Sequence, residues 1–345
     1  MLRGAAVKPV SFYLPARSSD ASESAESSPI ALFDASHGQP DWAQTGFTSR
    51  EMHTNFAGVT EHLCRLGFQC RTTNGEPLAH ELSRSRLLVL PPPTGHYNPR
   101  KERWEAAPSI LFTGPEICAV LRFLQHGGRL LAFAYRFGDS FTQTNLRDLF
   151  GPLGCHLNDD AVIDAVALRQ THPLQIHFDT PSESLPLAWS RAGVSMVRWH
   201  PSATFTILPG ATAWPLALST GGRCLSFNRT FRQISFESLP VAVVGRNGKG
   251  RFALFGGPHI FETSPLGLLA DQDNARFLEN TLHWLLSDSP EEPVGRPQGD
   301  ESEGACEGLT RVECQGEGER TIASVERLLR KTGVLKALGR AKWMP

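Results

Sequence analysis

Apolar positions along this chain alternate between two kinds of pattern. Short unbroken runs at 29–34 (PIALFD), 86–90 (RLLVL), 129–135 (RLLAFAY) and 251–255 (RFALF) read as strands buried on both faces, where polar alternation is not needed. Between them, apolar residues recur three or four apart. Met52, Phe56, Val59, Leu63 and Leu66 predict an amphipathic helix over 49–66 that stops at Gly67. Ile117, Val120, Leu121 and Leu124 predict a second, opened at Thr113 or Gly114 with Pro115 in its first turn and Glu116 behind it. Phe277, Leu278, Leu282, Trp284 and Leu285 predict a third over 271–286. A strand at 68–72, a short helix at 77–83, strands at 214–218 and 241–244 and a hairpin turn at 245–250 complete the pattern. The fold class is α/β, a doubly wound sheet. Residues 165–215, where short apolar runs mix with Pro and His, add a β-rich elaboration.

The stretch 127–164 organises the rest. Gly127 and Gly128 end a helix, the strand runs from Arg129 to Tyr135, a polar turn follows at 136–140, and an amphipathic helix is predicted over Thr142–Phe150. Residues 135–140 thus lie at the carboxyl end of a strand, where open α/β sheets hold ligands. An acyl-transfer elbow would need Cys or Ser among small neighbours and a nearby His. Here it reads Ala134, Tyr135, Arg136, Phe137, Gly138, Asp139, Ser140, with bulky residues where small ones belong. Asp139 and Ser140 are expected to cap the next helix. The first strand end supplies further candidates, Asp34, Ser36, His37 and Gln39, with Asp41 and Trp42 in the loop beyond. The long loop over 94–112 mixes Tyr97 and Trp104 with His96, Arg100, Lys101 and Arg103, a composition suited to an anion or a sugar or to a solvated insertion.

Composition narrows the chemistry. In a chain of 345 residues, a net charge of -1 gives no general pull toward nucleic acid or anionic membrane. No apolar run approaches the ~20 residues that a transmembrane helix needs. Seven scattered cysteines suggest reduced thiols and a cytoplasmic location, with Cys118 and Cys155 as core thiols. Asn158, Asp159 and Asp160 are expected to form a turn, since no spaced third acid completes a cation loop. His172, His177 and His200 lack metal-ligand spacing, so no metal and no cofactor is expected.

Four segments are expected. Residues 1–28 form a disordered leader and linker, 29–287 the domain, 288–319 an acidic disordered linker with ten acidic and two basic residues, and 320–345 a basic amphipathic helix. On that helix Arg327, Leu328, Arg330, Lys331, Leu335 and Leu338 form a candidate partner-binding face.

The order of several short features resembles the amino-terminal GIFT domain of the intraflagellar transport protein 52 family, itself similar in fold to class I glutamine amidotransferases. They are Gly127 and Gly128, Gly138, Ser140, Thr144 with Asn145 and Leu146, Gly154, and the run Asn158 to Val162. Further on come Ser219 to Gly222, Cys224, Asn228 with Arg229, and Gly250 through Gly256 to His259 and Phe261. The resemblance spans about 30–287 and implies a flavodoxin-like, amidotransferase-like sheet without the catalytic cysteine. In active relatives the catalytic His and Glu come from a comparable strand end, and His259 with Glu262 imitates them at one residue wider spacing. A ciliary location follows only as far as the family role carries over.

The expected function is a non-catalytic ligand- or protein-binding scaffold module of a larger assembly, with protein partners reached through the C-terminal helix and a small sugar or polar ligand. Its ligand face would comprise Asp34, Ser36, His37, Gln39, Arg136, Gly138, Asp139, Ser140, Asn145 and His259. Two alternatives stand beside it. One is a hydrolase or amidotransferase-like enzyme using His37, His259 and Glu262 with Ser140 as nucleophile, which requires a hydroxyl within about 3.2 Å of a histidine nitrogen. The other is a carbohydrate-binding protein using Trp42, Tyr97 and Trp104.

Overall fold

A computed structural model describes residues 28–37, 56–93, 96–98, 103–105, 111–165, 177–228, 234–263 and 267–288. Its centre is a mixed sheet of seven strands. In chain order these are β1 (Ile30–Phe33), β2 (Gln69–Thr72), β3 (Leu87–Leu90), β4 (Arg129–Phe133), β5 (Ala213–Leu218), β6 (Pro240–Asn247) and β7 (Gly250–Phe255). Across the sheet they are ordered β5-β6-β7-β4-β3-β1-β2. The strands from β2 to β7 in that order are parallel, while β6 and β5 extend the sheet by antiparallel pairing.

Why the runs are unbroken is plain from the two cores. Successive side chains of a strand face opposite ways. Leu131 and Phe133 of β4 therefore join Val59 and Leu63 of helix α1 (Ala57–Arg65) on one face. Leu130 and Ala132 join the other face, with Leu78 and Leu82 of α2 (Leu78–Leu82) and Val120 and Leu124 of α3 (Gly114–Gln125). Helices cover both faces, so β3, β4 and β7 are apolar at nearly every position. Phe277, Leu278 and Leu282 of the last helix, Gln272–Leu286, seal the first face. The start of α3 is a complete capping box: the Thr113 hydroxyl accepts from the Glu116 N–H, and the Glu116 carboxylate accepts from the Thr113 N–H at 2.7 Å. Gly127, at φ +104°, ends that helix and turns the chain directly into β4.

Three sequence expectations change. The helix predicted over Thr142–Phe150 is two short ones, α4 (Gly138–Thr142) and α5 (Leu146–Phe150), parted by Gln143 at φ 56°. The cause is Asp139, whose carboxylate accepts from the N–H groups of Leu146 at 3.0 Å and Arg147 at 2.9 Å and so starts a second helix. Cys118 is exposed rather than in the core, because α3 buries Val120 and Leu124 and Cys118 falls on another side. The loop over 94–112 contains a small antiparallel pair, His96–Asn98 with Arg103–Glu105.

The elaboration consists of antiparallel strands packed beside the sheet: Asp160–Asp164 with Cys224–Asn228, Phe178–Pro181 with Met196–Trp199, and Cys155–Leu157 with Phe205–Ile207. Asp160 is a strut between them, accepting from the Thr204 N–H and hydroxyl at 2.8 and 2.6 Å and from the Ser226 hydroxyl at 2.6 Å. Burial pushes its carboxyl above the usual range, against those hydrogen bonds.

Candidate functional site

Two histidine–carboxylate pairs stand past the carboxyl ends of parallel strands. The first follows β1. The Asp34 N–H still donates to the Val89 carbonyl at 3.0 Å, which fixes its buried carboxylate just beyond the ladder. That carboxylate accepts from the Ser36 N–H at 3.0 Å and the Ser36 hydroxyl at 2.5 Å, and it lies 2.6 Å from His37 Nδ1. Thr73, at the end of β2, braces the same turn by accepting from the Ala35 N–H at 2.8 Å. The other ring nitrogen, His37 Nε2, is 3.6 Å from Glu116 on the first turn of α3. The His37 ring stacks on Phe112 with centroids 3.7 Å apart. Burial lowers the affinity of His37 for a proton, but the hydrogen bond and charge of Asp34, with Glu116, outweigh it and hold the imidazole above its ordinary value. Glu116 ends below its ordinary value, since Thr113 and His37 outweigh its own burial. A histidine between two carboxylates binds its proton more tightly than a free imidazole does and ties the loop after β1 to α3.

The second pair follows β7. Gly256 passes so close to the elaboration that a Cβ there would meet the Ala203 carbonyl oxygen, and its own carbonyl accepts from the Ala203 N–H at 2.9 Å. This contact sets the strand end beside His200, whose ring centroid is 5.1 Å from that of His259. His259 Nδ1 lies 2.6 Å from the buried Glu262 carboxylate. With the Nδ1 proton assigned to that bond, Nε2 is the acceptor, and the Tyr135 hydroxyl lies 3.3 Å from it. Carboxylate, imidazole and hydroxyl stand in the order of a general-base relay. The hydroxyl, however, is a buried phenol, which burial above all holds further above its ordinary value.

The turn between β4 and α4 carries the remaining candidates. The Arg136 guanidinium sits 5.6 Å from the Tyr135 ring centroid. Phe137 is left-handed at φ 62°, and Gly138 follows at φ 50°, where a Cβ would lie 2.8 Å from the Asn158 carbonyl oxygen. The Ser140 hydroxyl donates to the Phe137 carbonyl at 2.9 Å, and its N–H donates to Asp159 at 3.2 Å. The Asn145 side chain accepts from the Phe112 N–H and donates to the Phe112 carbonyl, both at 2.9 Å. Asn145 therefore holds the ring on which His37 stacks, joining this turn to the first pair.

The structure thus brings Asp34, Ser36 and His37 together, with Asn145 one residue removed through Phe112. His259 meets Glu262 and Tyr135, while Asp139 and Ser140 serve the turn itself. Among the described residues a hydroxyl at 3.2 Å from a histidine nitrogen is that of Ser36, beside His37 Nδ1, and both of those groups are already bonded to Asp34. Gln39, Trp42 and the face formed by Arg327, Leu328, Arg330, Lys331, Leu335 and Leu338 lie outside the described residues, as do the side chains of Tyr97 and Trp104. Among the described residues no group of three or more His, Cys, Asp or Glu side chains is placed to hold a metal ion, and no helix is long and apolar enough to cross a membrane.

Sequence reading did not include Glu116, Phe112, Thr73, Tyr135 or His200 among the site residues. Tyr135 carried a local signal, standing as the last residue of the buried run that begins at Arg129. The others come from distant segments and carried none.

The geometry defines a class: an α/β domain with a histidine–glutamate pair at a strand end, and a buried tyrosine where such a pair would face a nucleophile. No protein-family model matches the chain. Among curated proteins, the mouse intraflagellar transport protein 52 homolog is 24% identical over 198 residues, covering 53% of this chain and 43% of that protein. The human homolog is 24% identical over 198 residues, covering 53% and 42%. The match therefore spans less than half the length of these relatives. Among solved structures, the mmIFT52 N-terminal domain superposes with a TM-score of 0.53 at 20% identity, covering 75% of this chain and 97% of that one. The domain is intraflagellar transport protein 52-like, in agreement with the GIFT resemblance read from the sequence.

Proposed function

We propose that this chain is a non-catalytic protein-binding module of a multiprotein assembly, built on a flavodoxin-like, class I glutamine amidotransferase-like scaffold. The strand order β2-β1-β3-β4-β7 supports the scaffold, since it follows the 2-1-3-4-5 order of flavodoxin-like sheets. The observation that carries the functional reading is the Tyr135 hydroxyl at His259 Nε2. Glu262 and His259 keep the arrangement of an acid–base pair, but the group they face is a buried phenol, a poor nucleophile beside a thiolate or an activated serine. The names of the mouse and human relatives favour an assembly of the intraflagellar transport kind, and with it a ciliary site of action. The strand-end face that carries Arg136, Ser140 and Asn145 is then a contact surface, with the buried Asp34–His37 pair bracing it from beneath, and the basic C-terminal segment is a second docking element.

The test compares the full chain with His259→Ala on glutamine and on simple amide and ester substrates. The expected result is no turnover by either. Turnover by the unaltered chain that His259→Ala abolishes would establish the enzyme alternative instead.

A further inference from the structure

At the opposite end of the sheet, away from both histidine pairs, the thiols of Cys64 and Cys70 stand 4.0 Å apart. Backbone geometry produces the approach. Cys64 is in the last turn of α1 and Cys70 is the second residue of β2. The chain reverses between them at Gly67, whose φ of +87° suits glycine. The Gly67 N–H donates to the Cys64 carbonyl and the Phe68 N–H to the Leu63 carbonyl, both at 3.0 Å. Two thiols six residues apart are thus held side by side before any bond joins them, and rotation about their side chains can close the remaining gap to the ~2.05 Å of a disulfide.

Access differs between the two. Cys64 is exposed and Cys70 half-buried. Both line an open cavity of about 850 Å³ at the amino ends of β1, β2 and β3, whose wall also carries Arg71, Arg84 and Arg86. Arg84 and Arg86 pair with Glu76 and Asp288, and Arg71 with Gln69. These are surface contacts of the kind an incoming carboxylate can exchange with at little cost.

We propose that Cys64 and Cys70 are a reversible dithiol–disulfide pair, oxidised through this cavity by a carboxylate-bearing low-molecular-weight disulfide of the glutathione class. The Cys64 thiolate attacks one sulfur of that disulfide, its S–S bond breaks, and one thiolate leaves. The Cys70 thiol then gives its proton to the departing thiolate and attacks Cys64 Sγ, which breaks the mixed disulfide and releases the second small thiolate, protonated by the water that took the Cys64 proton. Two protein thiols are oxidised to one disulfide, and one small disulfide is reduced to two thiols. The order of events follows from exposure. It also follows from Cys70 itself, whose thiol is pushed up to about 12 by burial first and by the charge and hydrogen bond of Cys64 next. Once Cys64 is in the mixed disulfide its charge is gone, and that part of the barrier to Cys70 goes with it.

The experiment uses the full chain, equilibrated with graded ratios of reduced to oxidised glutathione, alkylated, and mapped with trypsin without reduction. Trypsin cuts after Arg65 and Arg71, so the bond would join peptide 51–65 to peptide 66–71. The expected result is a linked pair that rises with the oxidised fraction and separates on reduction. Cys70→Ser should stop with a glutathionyl group on Cys64, and an uncharged small disulfide should link the pair several-fold more slowly. If the two peptides stay unlinked at every ratio, or if the unaltered chain retains a glutathionyl group on Cys64, the dithiol proposal is overturned. Equal rates with charged and uncharged disulfides would overturn the role given to the arginines. The decisive readout is taken on the unaltered chain, so misfolding of a serine variant cannot mask it.

Discussion

The His37 and His259 sites share a histidine–carboxylate bond of 2.6 Å and differ in what meets the other ring nitrogen. His37 meets a second carboxylate, Glu116, whereas His259 meets a phenol. A ring between two anions has both nitrogens engaged and acts as a brace. A ring with one anion behind it turns its other nitrogen toward whatever the fold places in front. The first arrangement therefore belongs to folding, and in the second the Tyr135 phenol fills the place in front of the histidine that a nucleophile would take.

This contrast can be tested in order of expected effect. Asp34→Ala should be the most damaging change, costing about 3 kcal/mol in urea unfolding, because it breaks a buried pair and frees the Ser36 turn as well. His259→Ala should cost less, about 2 kcal/mol, since one charge-assisted hydrogen bond is lost and the ring is already 13% exposed. The reverse order would mean that the second pair is the structural one.

The His37 contribution also has a pH signature. Its folded pKa is raised, so the protonated ring stabilises the native state fully below the unfolded value of about 6.5, and that stability is lost as pH rises from there through the folded pKa. Unfolding measured across that window should show a falling contribution that His37→Gln lacks, and the His37 ring signals should titrate above 6.5 in NMR. Equal pH dependence in the two proteins would remove the second carboxylate from the account. Tyr135→Phe should be mildest, about 1 kcal/mol, with no change in partner binding. A larger loss of binding than of stability would make the phenol part of the contact surface.

What could be read from the sequence was what neighbours in the chain decide. The Thr113–Glu116 cap, the turn at Gly127, and the buried runs of β3, β4 and β7 are local and were expected where they occur. The break at Gln143 was missed because helical periodicity continues across it, while Asp139 caps from seven and eight residues upstream. Glu116 was read only as a helix-start residue; its contact with His37 depends on how α3 packs against the end of β1. Tyr135 and His259 meet across 124 residues, a pairing that the parallel alignment of β4 with β7 creates. Cys64 and Cys70 were counted among scattered thiols, although the sequence between them already shows a helix end, a glycine turn and a strand start.

The most direct test of the central claim is affinity capture from ciliated cells with the full chain, the full chain carrying His259→Ala, and a chain ending at Ser287. The account predicts that intraflagellar transport complex subunits are retained by the full chain with or without His259, and that retention weakens in the shortened chain. Failure of every form to retain such subunits, together with amide or ester turnover that depends on His259, would contradict it.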